Sequence, residues 1–543
     1  MADGLFSMAA ARGRVCALGA ALACTAPACT GEVADGSTGS SGGSGGSSVS
    51  GSGPSDPRIS QRIWRLSPSE LNREVTRLFG AGAPEVNLPQ GAAQAGITNI
   101  AENGAIDQGN ASVLADGVRA VASWVVADGA TRTRCEAYGD TACVDTLLGW
   151  LPSEAFRRPV DRAEVSELRE LFDQLNERYE YDYALAGTIR AVLLSPDFLY
   201  RTELGTVLSP FEIANLLAFA ITEEAPDVEL LTAAQTADLT DPDVREVQAR
   251  RLMDKSEKVW QRFFWEWLHM ATLDSQGAEV GLPSSLVAQM EEEYRAFIRE
   301  VVVNEHGTLR DVLSAPYTWA QPELAEHYDA SHPGTGLERI ELDEARRGGI
   351  LTQGAWLVSH GKDGHDNVVR RGMSIFKDAM CNNNLRPPEG VDVLAELAKL
   401  VGPDATVREV VEARGSAAAC MGCHRLPDPM GMVFETFTSD GRFQDTYPGG
   451  LPIDSNVTIP NIGSFDNARL LAEALADDEG FQRCFVRRFT HLIAGIDLGA
   501  SSRIAWLETA RERLVETDGN LEEMLVALVR HPAFIERQRE GAR

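Results

Sequence analysis

Cys420-Met421-Gly422-Cys423-His424 places two thiols three residues apart with an imidazole directly behind the second. On a helical turn, residues i and i+3 share one side, so both thiols can reach the two vinyl groups on one porphyrin edge. The next residue then faces the iron, and His424 becomes the proximal ligand of a covalently attached c-type haem. Besides a plain disulfide, two rival chemistries use part of the same pattern. A zinc site would need two further ligands at similar spacing, and no second Cys-x-x-Cys or His-x-His is present to supply them. A redox dithiol has no need of the adjacent histidine and usually opens a helix after a strand. The expected cofactor is therefore one covalent haem c, bound through Cys420, Cys423 and His424.

Outward from this turn the periodicity is helical almost throughout, which predicts a mainly α fold of several helical bundles. Ser67-Pro68-Ser69-Glu70 reads as a capping box with proline at the first helical position. Leu71, Val75 and Leu78 then form one apolar stripe that Gly80 stops. The same opening recurs at Ser209-Pro210-Phe211-Glu212, and Asp161 with Glu164 starts another helix after Phe156-Arg157-Arg158-Pro159. Leu194-Ser195-Pro196-Asp197-Phe198 and Arg530-His531-Pro532-Ala533-Phe534 each end a helix at a proline and bury an aromatic behind it. Strand signals are few. Val301-Val302-Val303 reads as a continuation of the helix from Leu286, and the irregular stretch 443–462 has room for a short hairpin. Trp260, Phe263, Phe264 and Trp267 share one helix face, the pattern of a core helix rather than of a platform for a sugar or quinone.

The chain has 543 residues and a formal charge of −30 spread along its length. Such a surface repels phosphate backbones and argues against nucleic acid; it would suit a partner with a basic face, or simply solubility. Residues 1–29 read as an export signal: Arg12 and Arg14 precede an apolar run, Val15 to Ala26, too short to span a bilayer. Cys29, and as an alternative Cys24, follows small residues and is the candidate lipidated cysteine, with ordinary cleavage as the rival reading. A Gly/Ser linker follows within 30–58, a flexible tether with a span of about 25 Å for twenty residues. The remaining divisions are helical modules at 59–130, 131–205 and 206–335, a haem-attachment module at 336–445 and a C-terminal helical module at 446–543. In an oxidising compartment, Cys135 and Cys143 are expected to form a local disulfide. Cys381 and Cys484 are then left to pair with each other, or to stay as two buried thiols.

Several short motifs also recur together. They include Phe156-Arg157-Arg158-Pro159, Leu194-Ser195-Pro196-Asp197-Phe198-Leu199-Tyr200-Arg201, Arg347-Gly348-Gly349-Ile350-Leu351 and Arg371-Gly372. Cys381 with Pro387-Pro388, Asp428-Pro429-Met430-Gly431, Glu435-Thr436-Phe437 and Phe481-Gln482-Arg483-Cys484 continue the order. In this the chain resembles a family of multi-domain secreted proteins of planctomycetes and myxobacteria, the planctomycete-type cytochrome c proteins, whose domains are of unknown function. The resemblance covers most of 60–540 and implies a largely helical, haem-bearing, extracytoplasmic protein without a settled reaction. The chain departs from it at Met430 and Met432, where the family usually has Ile or Leu and then Phe.

The distal side of the iron decides the chemistry. Met430 lies six residues past His424, and six extended residues reach about 20 Å, barely enough to round a porphyrin. His360 and His365 flank a Gly-rich polar loop and are the other distal candidates, accessible by position. Arg442 is a candidate partner for a haem propionate, and equally a turn residue. A filled sixth position would suit electron transfer with a redox partner protein; an open one would suit an oxidoreductase acting on peroxide or an organic substrate. The third reading is a lipid-tethered scaffold, for instance for polysaccharide, in which haem is secondary.

Overall fold

The helix openings are where local chemistry acts most directly. Ser67, Asp161 and Ser209 each accept the backbone N–H three residues on, and Glu70, Glu164 and Glu212 reach back to the cap, starting helices Pro68–Phe79, Arg162–Asn176 and Pro210–Thr222. The fold is mainly α, as expected from the periodicity. The computed structural model describes residues 59–362 except 95, 99, 102 and 103, then 366–382, 401–402, 405–417, 420–498 and 504–539. The leader, the linker, Cys24, Cys29, His365 and Pro387-Pro388 lie outside the described residues. Residues 54–543 form one unit.

Val301-Val302-Val303 does continue a helix: Ser284–Ile298 runs on into a π-helical turn, Arg299–Asn304. Among the described residues the strands make three antiparallel pairs. Arg62–Arg65 pairs with Tyr200–Glu203, Tyr317–Ala320 with Glu338–Glu341, and Val457–Ile459 with Gly463–Phe465. The first two pairs had no clear sequence signal, because each strand is only four residues long and its partner is remote. One apolar cluster joins residues from Leu66 to Leu199 with Phe219, and a larger one runs from Ile59 to Ile535. Trp260, Phe263, Phe264 and Trp267 belong to the larger cluster; Trp260 stacks on Phe489 at 4.3 Å between ring centres. The aromatic face is core.

Buried arginines close the ends of helices. A helix leaves its last carbonyls without partners, and a guanidinium presents five donors in a planar fork. Arg157 donates to the carbonyls of Asp197 (2.8 Å), Phe198 (3.1 Å) and Tyr200 (3.0 Å), so two of the recurring motifs are in contact. Arg245 does the same for Val529 and Arg530, both at 2.7 Å. Phe198 and Phe534, the aromatics behind the two prolines, are both buried.

Glu293 is buried inside this framework, accepting from Thr318 Oγ1 at 2.9 Å and from the Tyr328 hydroxyl at 2.6 Å. Desolvation pushes its pKa up to about 7, against the opposing pull of those bonds and of Arg347. The native chain therefore holds a proton that the unfolded chain has already released. Stability is greatest below the ordinary value of 4.5 and falls as pH rises to about 7. Glu293→Gln is expected to flatten this part of the profile, read from urea midpoints measured across about pH 5 to 8. An unchanged slope would remove Glu293 as its source.

Candidate functional site around Cys420, Cys423 and His424

The pentapeptide forms one helical turn. Cys420 caps helix Met421–His424, and its carbonyl accepts the N–H groups of Cys423 and His424, both at 3.1 Å. Cys420 is buried and Cys423 half-buried, and neither is in a disulfide. Helix Pro427–Met432 follows at once. It crosses helix Asp366–Met373 with backbones touching: a Cβ on Gly431 would lie 1.9 Å from the Val368 carbonyl, and one on Gly372 2.0 Å from that of Pro427. Glycine is required at this crossing because no side chain fits. Arg371, next to Gly372 and fully buried, donates to the carbonyls of Phe434 (3.0 Å), Phe437 (2.7 Å), Thr438 (2.8 Å) and Leu357 (3.1 Å). The segment behind the thiols is thereby held from its other side.

His424 Nδ1 lies 2.9 Å from Asp428 Oδ1. A carboxylate only accepts, so Nδ1 donates, and in the neutral imidazole Nε2 is the nitrogen with the lone pair. Asp428 is fully buried, and its second oxygen meets Arg414 Nε at 2.9 Å in an ion pair that is also buried. Sequence reading singled out Asp428 only as part of a recurring motif and missed Arg414. The available signal was the i, i+4 spacing from His424 to Asp428.

Beside this turn lies a cavity of about 740 Å³, between helix Val407–Ser416, helix Pro427–Met432 and the hairpin Val457–Phe465. Val411, Met432, Val457, Phe465 and Leu470 give it an apolar wall, with Arg408 and Arg425 as its cations. Arg408 is held by the Asp454 carboxylate at 3.0 Å, whereas Arg425 is exposed. Cys420, Cys423 and His424 do not themselves line this cavity. Two thiols on one turn and a histidine whose Nδ1 is hydrogen-bonded, leaving Nε2 for a metal, are nevertheless the donor set of a thioether-bound haem. Cys420, Cys423 and His424 would hold it. Among the described residues no group of three or more His, Cys, Asp or Glu side chains converges as a set of metal ligands.

The other expected site residues fall differently. His360 is buried, not on an accessible loop: Nδ1 lies 3.0 Å from the Trp356 carbonyl, Nε2 3.0 Å from Ser374 Oγ, and the ring stacks on Trp356. Burial pushes its pKa down to about 3. With both nitrogens engaged it offers no lone pair to an iron in this arrangement. Met430 is buried in the large apolar cluster. The path from His424 to Met430 is mostly helical and advances about 1.5 Å per residue, far short of its extended reach, so Met430 packs rather than rounds a ring. Arg442 pairs with Asp440 at 3.3 Å in a turn and is not part of the cavity wall. Cys135 is bonded to Cys143, and Cys381 to Cys484, the second bond tying the end of a π-helical turn to helix Glu479–Ala494.

Three family models match. Residues 143–203 match a protein of unknown function (DUF1595), 208–330 a protein of unknown function (DUF1592), and 347–447 a protein of unknown function (DUF1588). These three models are domains of the planctomycete-type cytochrome c proteins, and the chain is similar to that family. The third matched segment contains the whole Cys420–His424 turn, together with Arg371, Arg414 and Asp428. No curated protein and no solved structure matches it. No helix of the described residues is long and apolar enough to cross a membrane.

Proposed function

We propose that the protein is an exported c-type haem protein that passes electrons to or from a co-exported redox partner. The observation that carries this reading is the His424–Asp428 hydrogen bond on the same turn as two thiols, because it leaves Nε2 as the ligating nitrogen. Haem, when bound, supplies a one-electron Fe(III)/Fe(II) couple whose potential the protein sets through ligation and burial. Cys420 and Cys423 would hold the ring and His424 would ligate its iron. The leader places the protein outside the cytoplasm, and Cys29 anchors it by lipid to the outer membrane, with the Gly/Ser stretch as tether. The charge of −30 favours a partner with a basic face.

A second reading, a haem oxidoreductase with an open sixth position, draws support from the engagement of both His360 nitrogens and the packing of Met430 in the apolar cluster, with His365 outside the described residues. Two measurements test both. The denatured protein is expected to keep a haem stain that Cys420→Ala with Cys423→Ala abolishes while the far-UV helical signal persists. A stain-free wild type would refute both readings and leave the anchored scaffold. A reduced spectrum unmoved by carbon monoxide selects electron transfer, and a carbon monoxide adduct selects the oxidoreductase.

A further inference from the structure

The interior of the haem-attachment segment contains a charge pair that helix packing alone does not require. Asp428 and Arg414 are both nearly inaccessible, come from different helices, and meet at 2.9 Å. Burying two charges costs several kcal/mol in desolvation, so such a pair is weak evidence for stability and directs attention to what else it touches. What it touches is His424 Nδ1, at 2.9 Å from the carboxylate oxygen that Arg414 does not engage. Arg414 pairs with one oxygen as a close ion pair without hydrogen-bond alignment, and the other oxygen meets the imidazole. The carboxylate cannot rotate away without breaking the ion pair.

We infer that Asp428, locked by Arg414, is the positioning residue of the axial ligand: it fixes the His424 tautomer and ring plane and makes Nε2 a stronger donor to iron. The inference rests on the haem reading above. A carboxylate that accepts the distant N–H of a ligating imidazole raises its basicity. A more basic axial ligand favours Fe(III) over Fe(II), so the arrangement holds the reduction potential lower than a carbonyl or water acceptor in the same place would. The exposed side of His424 is not the lever. The control sits in the interior, where the low dielectric strengthens it.

The test compares holoprotein of wild type, Asp428→Asn, Asp428→Ala, Asp428→Glu and Arg414→Lys by potentiometric titration and by resonance Raman of the ferrous state. Asp428→Asn keeps size and an acceptor oxygen but removes the charge, so it is expected to shift the midpoint potential upward and weaken the iron–histidine interaction. Asp428→Ala is expected to shift it at least as far and to broaden the axial-ligand signals as the ring loses its fixed plane. Asp428→Glu and Arg414→Lys, which keep the charges, are expected to return part of the way. Should all four variants keep covalent haem and the wild-type potential, Asp428 is structural only and the inference falls. Absence of the haem stain from the denatured wild type would overturn the functional reading instead, a result distinct from an unshifted potential. If Asp428→Ala fails to fold, the Asn and Glu variants still decide.

Discussion

Gly431→Ala is expected to destabilise the protein by about 3 kcal/mol or more, because the new Cβ has no space that a side-chain rotation could open. It would lie 1.9 Å from the Val368 carbonyl and 2.9 Å from the Gly372 nitrogen, both backbone atoms. Helices Asp366–Met373 and Pro427–Met432 would have to separate. Asp428 and the turn with His424 ride on the second of them, so the loss should extend to the Asp428–His424 hydrogen bond. Gly372→Ala meets the Pro427 carbonyl at 2.0 Å and should behave alike. Urea unfolding checks both, and the double variant should cost less than the sum of the two, since separating the helices once relieves both contacts. A loss within about 0.5 kcal/mol for either single variant would mean that the helices do not cross this closely.

Arg371→Met should cost about 4 kcal/mol. The guanidinium serves the carbonyls of Leu357, Phe434, Phe437 and Thr438, and its removal leaves buried acceptors without donors at about 1–3 kcal/mol apiece before relaxation. Burial draws the Arg371 pKa down to about 9, a sign of how fully water is excluded. The Glu435 carboxyl nearby, pushed up to about 7 by its own burial, is partly held down by the Arg371 charge. Arg371→Lys is expected to recover little, because a single ammonium cannot reach carbonyls spread over a planar fork. Thermal unfolding with and without haem would locate the effect in the polypeptide. A lysine variant as stable as the wild type would show that the charge, and not the fork, holds the segment.

Much of the helix layout was legible from residues within one turn of each other. The caps at Ser67, Asp161 and Ser209 act through a side chain reaching the third residue on, and the turn at Cys420 is likewise local. The pairing of Cys381 with Cys484 across 103 residues came from counting what the local disulfide left over. His360 was misread because a Gly-rich flank suggests an exposed loop, whereas Trp356 and Ser374 enclose its ring. Strand Arg62–Arg65 escaped notice since its partner, Tyr200–Glu203, comes only after several intervening helices.

From the order of residues alone came the helical class, the cap positions and the thiol–thiol–imidazole turn, all consequences of backbone geometry over three or four residues. Only the tertiary structure decided which nitrogen of His424 is left for a ligand, which candidate donors are consumed by packing, and which arginines close which helix ends. Those outcomes depend on burial. A carboxylate or guanidinium in the interior must find its partners wherever the chain brings them, and that meeting is set by the packing of distant segments such as 407–416 against 427–432.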